Sequence, residues 1–224
     1  MFQSTCRGDI MVSVFLIILL SYLAGSIPTA IWTSRILLKD DIRKYGSHNA
    51  GATNVYRVMG WKPALFVVLV DMIKGVLAVL LISKIRVGEI PISALYCQIL
   101  AGVAAILGHI WTVLAQFKGG KGVGTAFGVL IALIPVPALI ALGIWILLVL
   151  ITRIVSIGSI FAALSLPVSI LIQRRLDIPV PALFLWISIL LALLILFTHR
   201  SNIGRLFRGK ENKLGTPSKP ESSE

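Results

Sequence analysis

Four glycines and two lysines share nine residues, FKGGKGVGT at 117–125, between two apolar runs. That combination is suited to holding an anion. Glycine lets backbone N–H groups approach a phosphate with no Cβ in the way, and successive N–H groups can form a concave nest. The loop leads directly into an apolar segment, and a helix N-terminus there would add unpaired N–H groups and partial positive charge beside Lys118 and Lys121. Gly119, Gly120 and Gly122 are the candidate nest residues. The loop is not a Walker A motif, because Ala115 stands where the first glycine of that pattern would fall.

Two further stretches mix small residues, amides or hydroxyls, and fixed cations: RKYGSHNAGATNVYRVMGWK at 43–62 and THRSNIGRLFRGKENK at 198–213. Arg57, Arg200 and Arg205 are placed to give bidentate contacts to phosphate oxygens. Lysine and arginine alone could mark topology or lipid headgroup contact. Ser47, Asn49, Thr53, Asn54, Ser201 and Asn202 beside them favour a binding site. His109 ends one apolar run just before the glycine loop, and His199 ends the last. Capping a helix end is the default role for each, but both fall at the same expected depth as the phosphate residues. Asp71 and Lys74 lie three apart within an apolar run and are expected to neutralise each other inside a bundle. No histidine is followed by aspartate five positions on, which removes the pair expected of many acyl-CoA-dependent acyltransferases. Carboxylates are too few on the same side for a catalytic metal cluster, so no metal and no cofactor are expected.

The elements that must position these groups are membrane helices. The chain has 224 residues, 57% hydrophobic and 13% charged, with a mean hydropathy of +0.95. A soluble domain carries about 25% charged residues. Apolar runs fall at roughly 11–33, 63–83, 92–114, 122–136, 138–152, 157–172 and 181–198. The expectation is an all-α integral membrane protein, a polytopic helical bundle. It has seven transmembrane helices, or five if the short fourth to sixth runs pair as re-entrant segments around Pro135 and Pro137. The first run is too long for a signal-peptide core. Placing the N-terminus outside and the C-terminus inside puts Arg35, Lys39, Arg43, Lys44, Arg57, Lys62, Lys118, Lys121, Arg153 and the basic tail on the inner face. Only Arg7, Lys84, Arg86, Arg174 and Arg175 then fall outside, as the positive-inside rule demands. The same rule accounts for the net charge of +12 without nucleic acid. Cys6 and Cys97 give neither a disulfide framework nor metal-ligand spacing. Residues 1–10 form an extracytoplasmic segment, 11–213 the membrane domain, and 214–224 a polar, Pro/Ser-rich cytoplasmic tail expected to be disordered.

Five segments, AGSIPTA (24–30), GSHNAGATNVYRVMG (46–60), GHIWTVLAQFKGGKGVGTAFG (108–128), VSIGSI (155–160) and HRSNIGRLFRGKENK (199–213), occur in one order. That set resembles the bacterial acyl-phosphate:glycerol-3-phosphate acyltransferases, the PlsY family, from about residue 20 to 213. The resemblance implies a seven-helix enzyme in the bacterial cytoplasmic (inner) membrane, its active site facing the cytoplasm. Its reaction would move a fatty acyl group from acyl phosphate to the 1-hydroxyl of glycerol 3-phosphate, giving 1-acylglycerol 3-phosphate and phosphate. The implied partners are glycerol 3-phosphate, long-chain acyl phosphate, the lipid bilayer, and an enzyme that makes the acyl phosphate.

By motif matching, Ser47, Arg57 and Lys118 hold phosphate, with Lys121 and the glycine N–H groups beside them. His199, Asn202 and Ser156 orient the glycerol or the acyl phosphate. His199, Asn202, Ser156 and Lys118 are thus the implied catalytic residues. A substrate phosphate oxygen would take the hydroxyl proton, with His109 as the rival base. His48 stands where the family usually has glycine, and Thr112 and Leu114 where residues like those of PVF are common. A transporter or channel for phosphate or an organic anion is the competing class, since short broken helices with N-termini aimed at an anion are a transporter device.

Overall fold

Proline ends the first helix early. The computed structural model describes residues 2–88 and 92–215, and every regular element in it is helical. Helix α1 (Phe2–Gly25) stops before Pro28, and α2 (Thr29–Leu37) resumes after it. Proline lacks an N–H and pushes the preceding residue out of the helical region, so carbonyls at such a break lose their intrahelical donors. Both are recaptured by side chains: Ile27 O accepts from Lys74 Nζ at 3.2 Å, and Ser26 O accepts from Thr112 Oγ1.

The remaining helices are α3 (Ala52–Met59), α4 (Trp61–Leu80), α5 (Ala94–Ile110), α6 (Val123–Leu133), α7 (Pro135–Thr152), α8 (Val155–Arg175), α9 (Ala182–Thr198) and α10 (Arg200–Phe207). All seven apolar runs are therefore helical. The fourth run ends at Leu133, earlier than composition suggested, because Pro135 holds Ile134 outside helical geometry and opens α7 at its first position. Consequently α7 and α8 have 18 and 21 residues, longer than the runs read from sequence.

Among the described residues, five helical segments are long and apolar enough to cross a membrane: Gly8–Leu37, Trp61–Lys84, Ala94–Ala115, Pro135–Thr152 and Val155–Arg175. The α9–α10 pair, bent by 62°, makes a sixth by length. Helix α6, with 11 residues, rises only about 16 Å, short of a hydrocarbon core of about 30 Å.

The chain forms two compact units, Met1–Leu133 and Ile134–Glu224. In the first, α1 packs on α5, and α4 on α3, α5 and α6. Small residues permit this closeness: a Cβ at Gly25 would strike the Ala105 backbone, and one at Gly128 the Met72 carbonyl. In the second unit α8 packs between α7 and α9, and α10 turns off the end of α9 at 62°. Leu150, Ile151, Trp186 and Leu190 point outward, as a lipid-facing surface requires. Cys97 is a buried free thiol. Residues 216–224, most of the expected disordered tail, lie outside the described residues, as does the Cys6 side chain.

Candidate functional site

Two loops in the first unit carry the polar residues that the sequence singles out. The loop at 45–51 is built around Asn54, which is 1% exposed near the start of α3. Its Nδ2 donates to Ile42 O at 3.1 Å and Tyr45 O at 2.9 Å, while Oδ1 accepts from Ser47 N at 2.8 Å. A Cβ on Gly46 would collide with that amide. Asn54 therefore fixes where Ser47 sits, and its own polar atoms are committed to the loop. Asn49 is half-buried in the same loop, and Arg57 is half-buried in the last turn of α3. His48 adopts a left-handed φ of 56°, the conformation glycine takes most readily, and its Nδ1 lies 3.0 Å from Arg43 O.

The glycine loop differs from the nest read from sequence. Gly119 N donates to Ile110 O and Gly120 N to His109 O, each at 3.1 Å. The end of α5 leaves carbonyls without helical donors, and the first two glycines satisfy them. Their N–H groups thus face the protein. What glycine supplies there is proximity, since a Cβ on Gly119 would strike His109 O, and one on Gly120 the His109 ring and Ala50 O. The contact with Ala50 also brings the two loops side by side. Gly122 has a φ of 85° and lies against Ile110, immediately before α6. Lys118 is exposed and Lys121 half-buried.

Behind the glycine loop lies a buried polar cluster. Asp71 Oδ1 is 2.8 Å from Lys74 Nζ, 3.5 Å from His109 Nδ1, and 3.3 Å from Thr29 Oγ1, which donates to it. His109 is 8% exposed, with its Nε2 side against Gly120. The Asp71–Lys74 pair thus neutralises itself and also seats the histidine that backs the loop. Thr112, which departs from the family pattern, is buried and bonded to Ser26 O at the α1–α2 break.

In the second unit a carboxylate absent from the sequence-based candidates organises the candidates. Glu211, its side chain 3% exposed, accepts from Ser156 Oγ at 3.0 Å and Asn202 Nδ2 at 2.6 Å on Oε1, and from Arg205 Nε at 2.7 Å on Oε2. The chain after α10 is led back to the start of α8 by Leu214 N donating to Arg153 O at 2.7 Å. A lone acid in the basic run RGKENK was the available signal. His199, buried at the α9–α10 corner, has Nδ1 2.9 Å from Ile195 O, a carbonyl that can only accept, so Nδ1 carries a proton there. Arg200 folds back on α9, with NH1 donating to Phe197 O at 3.1 Å and its guanidinium 4.6 Å from the Phe197 ring centre.

Residues 15–209 match the family described as glycerol-3-phosphate acyltransferase. The chain belongs to that family. A glycerol-3-phosphate acyltransferase of Chlorobium luteolum is 42% identical over 91% of this chain and 97% of its own length, and that of Chlorobaculum tepidum is 41% identical over the same shares. Among solved structures, PlsY, an integral membrane glycerol 3-phosphate acyltransferase, is similar in its glycerol 3-phosphate form at a TM-score of 0.78 and 35% identity. The match covers 91% of this chain and 96% of that one. Its lysophosphatidic acid form matches at a TM-score of 0.76 and 34% identity. Family membership over this span sets aside the transporter reading.

Proposed function

We propose that this membrane acyltransferase moves a fatty acyl group from acyl phosphate to the 1-hydroxyl of glycerol 3-phosphate. The hydroxyl oxygen attacks the acyl carbon, the bond from that carbon to the phosphate oxygen breaks, and inorganic phosphate leaves with the electron pair. The hydroxyl proton ends on a phosphate oxygen. An acyl phosphate is a mixed anhydride with a good leaving group, so positioning and charge stabilisation are the main demands on the protein.

The observation that carries this reading is the pair of adjoining loops in the first unit, with Ser47 pinned by Asn54 and the exposed Lys118 beside glycines that admit no side chain. Ser47, Arg57, Lys118 and Lys121 are assigned to phosphate, helped by the first turn of α6. Asn54 and His109 act from behind the loops. Asn202 and Ser156, held by Glu211, are assigned with His199 to orienting a substrate oxygen. Arg200 and Arg205, turned to Phe197 and Glu211, serve the local fold in this assignment.

The donor's chain stays in lipid, where each CH₂ kept from water contributes about 0.8 kcal/mol. We assign the loops to the cytoplasmic face of a bacterial inner membrane, an orientation that the charge bias supports. An enzyme that makes acyl phosphate must supply the donor. Purified protein given palmitoyl phosphate and glycerol 3-phosphate is expected to release phosphate and lysophosphatidic acid in equal amounts. Palmitoyl-CoA should not replace the donor, and Asn202→Ala should abolish turnover. A folded wild-type protein that makes neither product would refute the reading.

A further inference from the structure

Just ahead of Lys118 the backbone does something L-residues avoid twice in a row. After a single turn at Val113–Ala115, Gln116 and Phe117 both take left-handed φ values, 58° and 59°. Neither is glycine, so the surroundings must hold the pair in place. Thr112 O accepts from Ala115 N at 3.1 Å and from Phe117 N at 2.8 Å, and Lys118 N donates to Ala115 O at 3.2 Å. The other constraint comes from a different loop. Arg43 NH1 donates to Ala115 O at 3.0 Å and to Lys118 O at 3.3 Å, the carbonyls immediately flanking the left-handed pair.

Arg43 is itself anchored. Its Nε lies 3.0 Å from Asp41 Oδ1 and its NH2 2.7 Å from Asp41 Oδ2, while Asp41 Oδ1 also caps the short helix Ile42–Lys44 by accepting from Arg43 N at 2.9 Å. One planar guanidinium therefore ties a carboxylate just ahead of the 45–51 loop to both sides of the bend that aims Lys118. We propose that Arg43 is a positioning residue for the reaction, clamping residues 115–118 so that Lys118 meets the phosphate. The inference rests on the assignment of Lys118 to phosphate. A lysine cannot substitute, because one ammonium on a flexible stem lacks the fixed fork that spans Asp41 and two carbonyls.

The test is a cycle of Arg43→Gln, Lys118→Ala and the double variant, with Arg43→Lys beside it, all in the full-length protein. The readout is kcat/KM with palmitoyl phosphate and glycerol 3-phosphate, together with the melting temperature. Arg43→Gln is expected to lower kcat/KM by about 10- to 100-fold, the range for a displaced positioning group. Arg43→Lys should fall to within about 3-fold of Arg43→Gln, as expected where the bidentate fork is lost. On a Lys118→Ala background the same Arg43 change should cost less than about 2-fold, because Arg43 works through Lys118. A purely structural Arg43 would give losses that multiply, and that result would overturn the inference, as would full rescue by lysine. If neither Arg43 variant folds, the inference also fails, since a role confined to the loop would not carry the fold. An inactive but folded wild type would instead refute the assignment beneath it.

Discussion

Replacing Glu211 by glutamine changes one atom and should damage both the fold and the chemistry. The carboxylate takes three donors at 2.6–3.0 Å while almost fully buried. If the amide keeps its oxygen toward Ser156 and Asn202, its NH₂ faces the Arg205 Nε–H, donor against donor. One charge-assisted bond, worth about 1.5–3 kcal/mol, is then lost and a cation is left without its partner. Removing one member of a buried ion pair costs about 3–5 kcal/mol. Arg205 is 28% exposed and partly hydrated, so the lower end, about 3 kcal/mol, applies. In a chain of this size that corresponds to about 6–12 °C in melting temperature. Ser156 and Asn202 are then left on a neutral oxygen that Arg205 no longer ties down, so kcat/KM should fall by about 100-fold. Tryptophan-fluorescence melting in detergent and acyl transfer read the two effects separately. Glu211→Asp, too short to reach all three donors, should lie between wild type and Glu211→Gln. A Glu211→Gln protein that melts within about 2 °C of wild type and keeps its turnover would refute the account of this cluster.

Other perturbations test the first unit. Gly120→Ala forces a Cβ into the His109 ring and Ala50 O, and should raise the KM for glycerol 3-phosphate by about 10-fold or more, whereas Gly143→Ala, with open space around it, should be neutral in the same kinetic assay. Asp71→Asn leaves Lys74 buried without its counter-charge and should cost about 3–5 kcal/mol by thermal melting. The paired change Asp71→Leu with Lys74→Met should recover stability but not kcat, because His109 Nδ1 still lacks its carboxylate. His48→Gly relieves a left-handed residue and should leave the melting temperature equal or higher, by up to about 1 kcal/mol in stability. Asp40 and Asp41 have carboxyls held low, Asp40 at about 2 by Lys44 and Asp41 below its usual 3.8 by Arg43. Their stabilisation is present above pH 3.8 and fades as pH falls toward 2. Acid unfolding of an Asp40→Asn, Asp41→Asn variant should lack that part of the slope.

Much of the architecture is legible as composition, because a helix is the answer lipid imposes on any long apolar run. The boundaries at Leu133 and Pro135 were less so, since an apolar residue on either side of a break looks the same until proline geometry is applied. Ser47, Arg57 and Lys118 stand out as candidates because amides and hydroxyls beside cations are not explained by topology alone. Asn54, Arg43 and Glu211 could not be assigned roles that way. Each works through backbone or side-chain atoms brought near by folding, Arg43 across 72 residues to Ala115 and Glu211 across 55 to Ser156. A sequence displays residue types at a site but not which of them face substrate and which face one another.

The glycine loop shows the same limit in a sharper form. Glycine-rich, lysine-bearing loops suggest backbone N–H groups wrapped around phosphate. Here Gly119 and Gly120 direct theirs to the last carbonyls of α5, so those N–H groups are already engaged. The absent side chains let the loop lie flat on His109 and beside Ala50. In the proposed site that leaves the charge on the phosphate to Lys118, Lys121, Arg57 and the opening turn of α6. Such a site depends more on aimed side chains than on a preformed backbone cup, and an aimed side chain needs something to fix the backbone beneath it. Two consecutive left-handed residues before Lys118, bracketed by one arginine, meet that need. The glycines, the strained bend and the Asp41–Arg43 anchor are then parts of one arrangement that sets where a lysine ammonium can be.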